Sequence, residues 1–355
     1  MPNNSWKKSA FLIPFCFFLL LSSGCLTGTL PDKQISVDSH IEFTNDSVPK
    51  QPTAVLKNNI SPSKRIISQN DDATELLIAI GASDSIVGIT DTAMKKNYLA
   101  DKLPHAKSIG DWLFPDIETI LLLKPDAIVS YSTSKPKNLE KIAAANLSIV
   151  YCDSYRINTL VSDARKLGEL TGYEEDAARY IAFNEKYQSL VDSRIPKTGT
   201  GDLIRVYIEG YSDYSVMTER SAGGRILQVL HIRNIYGNHT SDWATVNPEW
   251  VIAQNPEVII KMATDPAKGE NMTSVRQRIL NREGYSTITA VKNNRVYVMN
   301  GEIGSSPRVV IGLVYAAKAI YPDRFYDINP KDILLEYDRE FVAGTGFEDA
   351  FAPEL

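Results

Sequence analysis

The sequence predicts two α/β lobes, each built on a parallel sheet, joined by one long helix. Three observations carry this. From residue 65 onward short apolar strands alternate with amphipathic helices, the pattern of a parallel sheet covered on both faces. Residues 174–195 contain no Gly or Pro and set Ala178, Ile181, Tyr187, Leu190 and Val191 at helical spacing. A helix of that length spans ~30 Å. Finally, the segment around Asp111 and Trp112 recurs without a gap around Asp242 and Trp243. The 355 residues are enough for two domains of ordinary size, and 43% hydrophobic with 23% charged residues excludes a disordered chain.

The first 24 residues read as a signal peptide. Lys7 and Lys8 precede an apolar run over 10–21, and Ser22, Ser23 and Gly24 are the small residues a signal peptidase needs. The run is short for a membrane span, which takes ~20 apolar residues. Cys25 follows, so 21–25 resembles a lipobox, in which the cysteine is lipidated and becomes the new N-terminus. Ser22 departs from the Leu preferred three places before that cysteine. Residues 25–63, rich in Pro, Ser, Asn and Asp, read as the lipid anchor and a tether, with one edge strand within 34–43.

The first lobe is expected over 64–172. Helices fall at 74–81, 116–123, 139–145 and 157–171, and strands at 65–68, 85–90, 127–131 and 148–152. The connecting helix occupies 173–197 and the second lobe 198–355, beginning with a strand near 206–208. At an offset of 131 the repeat pairs Glu118 with Glu249, Ile120 with Val251, Pro125 with Pro256 and Asp126 with Glu257. Asp116 and Asn247 read as N-caps, with Pro248 at the first helical position. Glu118 and Glu249 lie in first turns, where a carboxylate favours the positive end of the helix dipole. With 3 cysteines there is no disulfide framework, and Cys152 has no partner but Cys25 once the signal is removed. A net charge of -5 leaves no basic footprint for nucleic acid.

Arg65-Ile66-Ile67-Ser68, Ala73-Thr74-Glu75-Leu76 and Ile86-Val87-Gly88-Ile89-Thr90 resemble the opening of the class III binding proteins that feed cobalamin and ferric-siderophore ABC importers. Glu118-Thr119-Ile120 through Val129 is similar to that family's most recognisable helix–strand segment. Residues 291–298, Ser306-Pro307-Arg308 and 316–322 resemble its last strand, last cleft loop and closing helix. The resemblance covers about 65–332. It implies two Rossmann-like lobes with a ligand cleft between them, and an extracytoplasmic solute-binding lipoprotein on the outer face of the cytoplasmic membrane. Such a protein would deliver a metal chelate (ferric siderophore, cobalamin or haem) to a permease dimer. It would be no enzyme and need no cofactor.

Open parallel sheets bind ligands at the C-terminal ends of their strands. Trp112 and Trp243 fall in the loops entering equivalent helices, and both match ligand-lining Trp positions of the cobalamin binder. The alternative is that each plugs its own lobe's core. Tyr131 ends a strand and corresponds to another cleft aromatic, while a core position suits it equally. Tyr211 and Tyr214 follow the strand at 206–208, and Arg308 borders the family's cleft, with a structural ion pair within the lobe as its alternative. Glu118 and Glu249 match the family's permease-docking glutamates. Asp71, Asp72, Asp91, Asp111, Asp213 and Asp242 crowd these loops and argue against a bare oxyanion ligand, since like charges repel. The scattered His40, His105, His231 and His239 give no metal-ligand spacing. The rival readings are a chelatase-like enzyme of similar fold, a stand-alone surface receptor, or a binder of a bare metal ion or oxyanion.

Overall fold

The computed structural model describes residues 65–197, 204–263, 271–347, 349–353 and 355. The expected signal peptide, Cys25 and the tether lie outside the described residues. In the first lobe β1 (Ile66–Ser68), β2 (Ile86–Ile89), β3 (Lys107–Ser108), β4 (Ala127–Ser130) and β5 (Ser148–Tyr151) form an all-parallel sheet in the order β3-β2-β1-β4-β5. The second lobe contributes β6 (Arg205–Glu209), β7 (Ser215–Met217), β8 (Arg233–Asn234), β9 (Trp243–Thr245), β10 (Val258–Ala263), β11 (Val296–Asn300) and β12 (Phe351–Ala352). They pair in the order β12-β11-β10-β6-β7-β9, with β8 also on β6.

This second sheet departs from expectation. Its centre is parallel, but β7, β9 and β12 run antiparallel to their neighbours. The chain leaving β6 doubles back at once through residues 210–214, and Gly210 donates its N–H to Ser215 O at 2.5 Å. So short a connection can form only an antiparallel pair, because a parallel one needs a crossover.

Strand alternation divides the core into faces. Ile66, Ala127 and Val129 point to one face of the first sheet, and Ile67 and Ile128 point to the other. In the second lobe Val258, Ile260 and Met262 share a cluster that also contains Leu77, Tyr180 and Leu313, while Ile259 faces the opposite side. One continuous apolar cluster therefore runs through both lobes and the helix that joins them.

That helix is Glu174–Arg194, buried through Ala177, Tyr180, Phe183, Asn184, Tyr187 and Val191 at three- and four-residue intervals. It follows the helix Leu160–Thr171, which Gly172 ends in the left-handed region at φ 79°. At Gly168 an added Cβ would sit 2.7 Å from Ala177 Cβ, so a larger residue would push the two helices apart.

The repeat is realised in three dimensions. Asp116 caps the helix Ile117–Leu123 by accepting from the N–H groups of Glu118 and Thr119, and Asn247 caps Pro248–Gln254 by accepting from that of Trp250. Lys124 and Asn255 end these helices in the left-handed region, at φ 48° and 43°. The start of each central strand is clamped in the same way. Arg65 N–H donates to Asp126 and Arg205 N–H to Glu257, both at 3.0 Å. Each arginine also reaches a carbonyl at the end of the repeated helix. At the far edge of the first sheet Cys152 is a free, buried thiol, and its carbonyl accepts from Asn70 Nδ2 at 2.8 Å.

Candidate ligand cleft

The C-terminal ends of both sets of parallel strands meet at the lobe junction. On the first lobe the wall is aromatic. The carboxylate of Asp111 accepts from the N–H groups of Leu113 and Phe114, which folds the loop around Trp112. Gln69, just past β1, donates to Trp112 O at 2.6 Å and ties the loop to the sheet. The Trp112 ring meets Tyr131 edge-on at 5.8 Å, and Tyr131 meets Tyr155 at 6.2 Å. The Arg156 guanidinium covers Tyr155 at 4.9 Å. On the second lobe Tyr211 and Trp243 lie 5.8 Å apart, with 37% and 42% of their surfaces exposed. Tyr211 rests against Gly301, where an added Cβ would fall 2.1 Å from its ring, so this contact requires glycine.

Charged pairs cross between the lobes. Arg156 of the first lobe binds Asp242 of the second at 2.7 Å, beside Trp243. Lys96 binds Glu302 at 3.1 Å, with Asp71 at 3.8 Å. Deeper, Arg308 binds Glu75 at 2.8 Å, and both are excluded from solvent. Tyr337 and Tyr98 also direct their hydroxyls at Glu75, at 3.0 and 3.4 Å. Burial pushes the Glu75 carboxyl up against the pull of Arg308. Asp72 accepts from the Tyr131 hydroxyl at 3.1 Å, and burial raises its carboxyl well above the usual range despite Lys96. The Tyr131 phenol is raised too, by burial and then by Asp72.

Behind the second wall Glu209 is held by Arg282 at 2.7 Å and Lys261 at 2.9 Å. Lys261 also donates to Tyr211 O at 3.3 Å and Ser212 O at 3.0 Å, fixing the loop that presents Tyr211. Burial works against the Glu209 carboxylate, but its bonds to Arg282 and the charge of Lys261 hold it below the usual range.

Trp112, Tyr131, Tyr211 and Trp243 thus stand at the junction, and Trp243 opens the edge strand β9 where a loop was expected. Arg308 requires correction: it lies in the core between the lobes, where Glu75 and the rings of Tyr98, Tyr337 and Phe347 enclose it. Its ion pair crosses lobes, because helix Val309–Ile320 packs against the connecting helix and not along the cleft. Tyr214 is also corrected: it turns, at φ 60°, to Arg282 and Tyr285 behind the wall. Glu118 and Glu249 are exposed in the first turns of their helices.

Three of the six acids near the cleft face cationic side chains. Asp71 faces Lys96, Asp213 faces Lys261 and Arg282, and Asp242 faces Arg156 and Arg220. Sequence reading passed over Lys96, Tyr155, Arg156 and Glu302. Tyr155 and Arg156 follow the end of β5, so the rule that placed Tyr131 also points to them. Among the described residues no group of three His, Cys, Asp or Glu side chains could hold a metal ion.

Two α/β lobes on one connecting helix, with aromatic rings on both sides of their junction, are the architecture of a two-lobed solute-binding protein. The sequence model for periplasmic binding proteins matches residues 66–302, and the chain belongs to that family. Its role is that of a solute-binding protein. An uncharacterized ABC transporter substrate-binding lipoprotein of Bacillus subtilis, YvrC, is 25% identical over 301 residues, covering 79% of this chain and 90% of YvrC. The vitamin B12-binding protein of Pectobacterium carotovorum is 26% identical over 205 residues, 56% of this chain and 70% of its own. The molybdate-binding protein MolA of Haemophilus influenzae shares the fold with a TM-score of 0.66 at 20% identity, covering 80% of this chain and 94% of MolA.

Proposed function

We propose that the protein captures a metal chelate (ferric siderophore, cobalamin or haem) between Trp112 and Trp243 and delivers it to the permease dimer of an ABC importer. The observation that carries this is the pair of aromatic walls, Trp112–Tyr131–Tyr155 on one lobe and Tyr211–Trp243 on the other. Flat rings bury a large ligand at little conformational cost. The vitamin B12-binding relative and the lipoprotein name of YvrC support the reading.

The lobes close by a small rotation, because one continuous helix and the buried Arg308–Glu75 pair join them. Glu118 and Glu249, one rigid carboxylate on each lobe, pair with arginines of the two permease subunits and set docking orientation. The exported chain is held on the outer face of the cytoplasmic membrane by lipid on Cys25.

Calorimetric titration with cyanocobalamin, haem and ferric siderophores tests the ligand. One of them binds, and Trp112→Ala and Trp243→Ala each weaken it about tenfold; unchanged affinity in both variants refutes the walls. Cys25→Ser tests the anchor by cell fractionation, where an unchanged membrane fraction refutes it.

A further inference from the structure

Three arginines gather where the aromatic walls meet. Arg156 follows β5 at the end of the first wall and reaches across to Asp242 with Nη2 at 2.7 Å. Arg220 approaches the other oxygen of Asp242 with Nε at 3.7 Å. Arg225 lies in the first turn of helix Ala222–Val229, and its pKa is drawn down by burial and by the charges of Arg156 and Arg220, against the pull of Asp242 and Glu219. Three guanidinium groups thus face two carboxylates.

The bonding is also incomplete. The Nε atoms of Arg156 and Arg225 are buried without a hydrogen-bond partner among the described residues. A guanidinium offers Nε and Nη2 as a parallel fork that a carboxylate fills with both oxygens. Asp242 occupies only the Nη2 side of Arg156 and leaves Nε empty, an unsatisfied buried donor. A mobile anion set squarely on the fork would satisfy both.

We propose that the solute carries an anionic arm, such as a carboxylate, which docks on Arg156, Arg220 and Arg225 by displacing Asp242 from Arg156. The inference rests on the chelate reading and narrows it, since the aromatic walls then hold the body of the chelate and the arginines hold its charge. Asp242 keeps the arginines neutralised while the cleft is empty. It is therefore a competitor of the ligand as well as a strut between the lobes.

That double role gives opposite signs for two substitutions. Removing the arginine weakens an anionic ligand, whereas removing the competing carboxylate tightens it. A purely structural ion pair would give both changes the same direction. The test is calorimetric titration of the purified protein with ferric citrate and haem as anionic chelates, ferrioxamine B and cyanocobalamin as chelates without net negative charge, and molybdate as a bare oxyanion.

An anionic chelate is expected to bind, with affinity falling as salt is added. Arg156→Gln and Arg225→Gln each weaken it tenfold or more, and Asp242→Asn tightens it several-fold. Weakening by Asp242→Asn as well as Arg156→Gln would make the pair a strut and overturn the proposal. Binding of cyanocobalamin or ferrioxamine B alone, unchanged in the arginine variants, would overturn the anionic arm and leave the chelate reading intact. Binding of molybdate alone, lost in Arg156→Gln, would support the arginine site and overturn the chelate. Absence of heat with every probe would overturn both.

Discussion

Glu75→Ala removes the acid that holds the two lobes together at their deepest point. Glu75 belongs to helix Asp71–Ala79 of the first lobe and Arg308 to the second, and neither reaches solvent. Arg308 Nε and Nη2 find no hydrogen-bond partner among the described residues and face aromatic rings, so Glu75 is the carboxylate that compensates the charge. The variant leaves a buried guanidinium uncompensated and strips an acceptor from Tyr337, a loss of about 3–5 kcal/mol. Unfolding entropy is about 2.1 cal/mol/K per residue, so over roughly 300 residues a loss of about 4 kcal/mol lowers Tm by about 6 °C. Scanning calorimetry reads this directly. Glu75→Leu combined with Arg308→Met replaces the pair by apolar groups of similar volume and should recover most of the loss. A Tm within about 1 °C of wild type for Glu75→Ala, or a double variant as unstable as the single one, would refute the compensation argument.

Other outcomes follow from features in each lobe. The Glu209 carboxyl is held below its ordinary value, so its contribution is fully present above about pH 4.5 and is lost as pH falls through the depressed folded value. Glu209→Gln should therefore lower stability at neutral pH and flatten the acid limb of a denaturation profile. An unchanged acid limb would exclude the Arg282–Lys261 clamp as its source. Asp116→Ala and Asn247→Ala each remove an N-cap and should lose about 1 kcal/mol in urea denaturation, adding in the double variant because the sites lie in different lobes. Glu118→Ala with Glu249→Ala should leave solute affinity intact and depress uptake through the cognate permease more than either alone. Normal uptake by the double variant would remove these residues from docking.

Where local chemistry decides structure, the sequence was readable. Asn247-Pro248 announces a helix start by an N-cap and a missing N–H, and the observed helix begins at Pro248. The 131-residue repeat located the helices Ile117–Leu123 and Pro248–Gln254 and the strands β4 and β10 that follow them, and the run without Gly or Pro located Glu174–Arg194. Matters settled between lobes were not readable. Arg308 carries no sign of its partner in the residues around it, because Glu75 lies 233 positions away. Tyr214 differs from Tyr211 by three positions, yet a positive φ sends it to the opposite side of the wall. The acids near the cleft look like a negative field until Lys96, Arg156 and Arg282 arrive from distant segments. The antiparallel β7–β9 edge of the second sheet depended on a tight return after β6, whose residues carry no strong hairpin signal.

Cys152 gives the first lobe a built-in chemical label site. Its thiol is 1% exposed, and burial, followed by the charge of Asp163, pushes its pKa up, so thiolate is scarce in the folded state. Alkylating reagents attack the thiolate, which makes the closed lobe nearly inert to them. The rate at which iodoacetamide accumulates on the Cys152 peptide therefore measures how often this edge of the sheet opens. Followed with and without solute, it separates a lobe that breathes on its own from one that moves only as a rigid body, with no residue replaced.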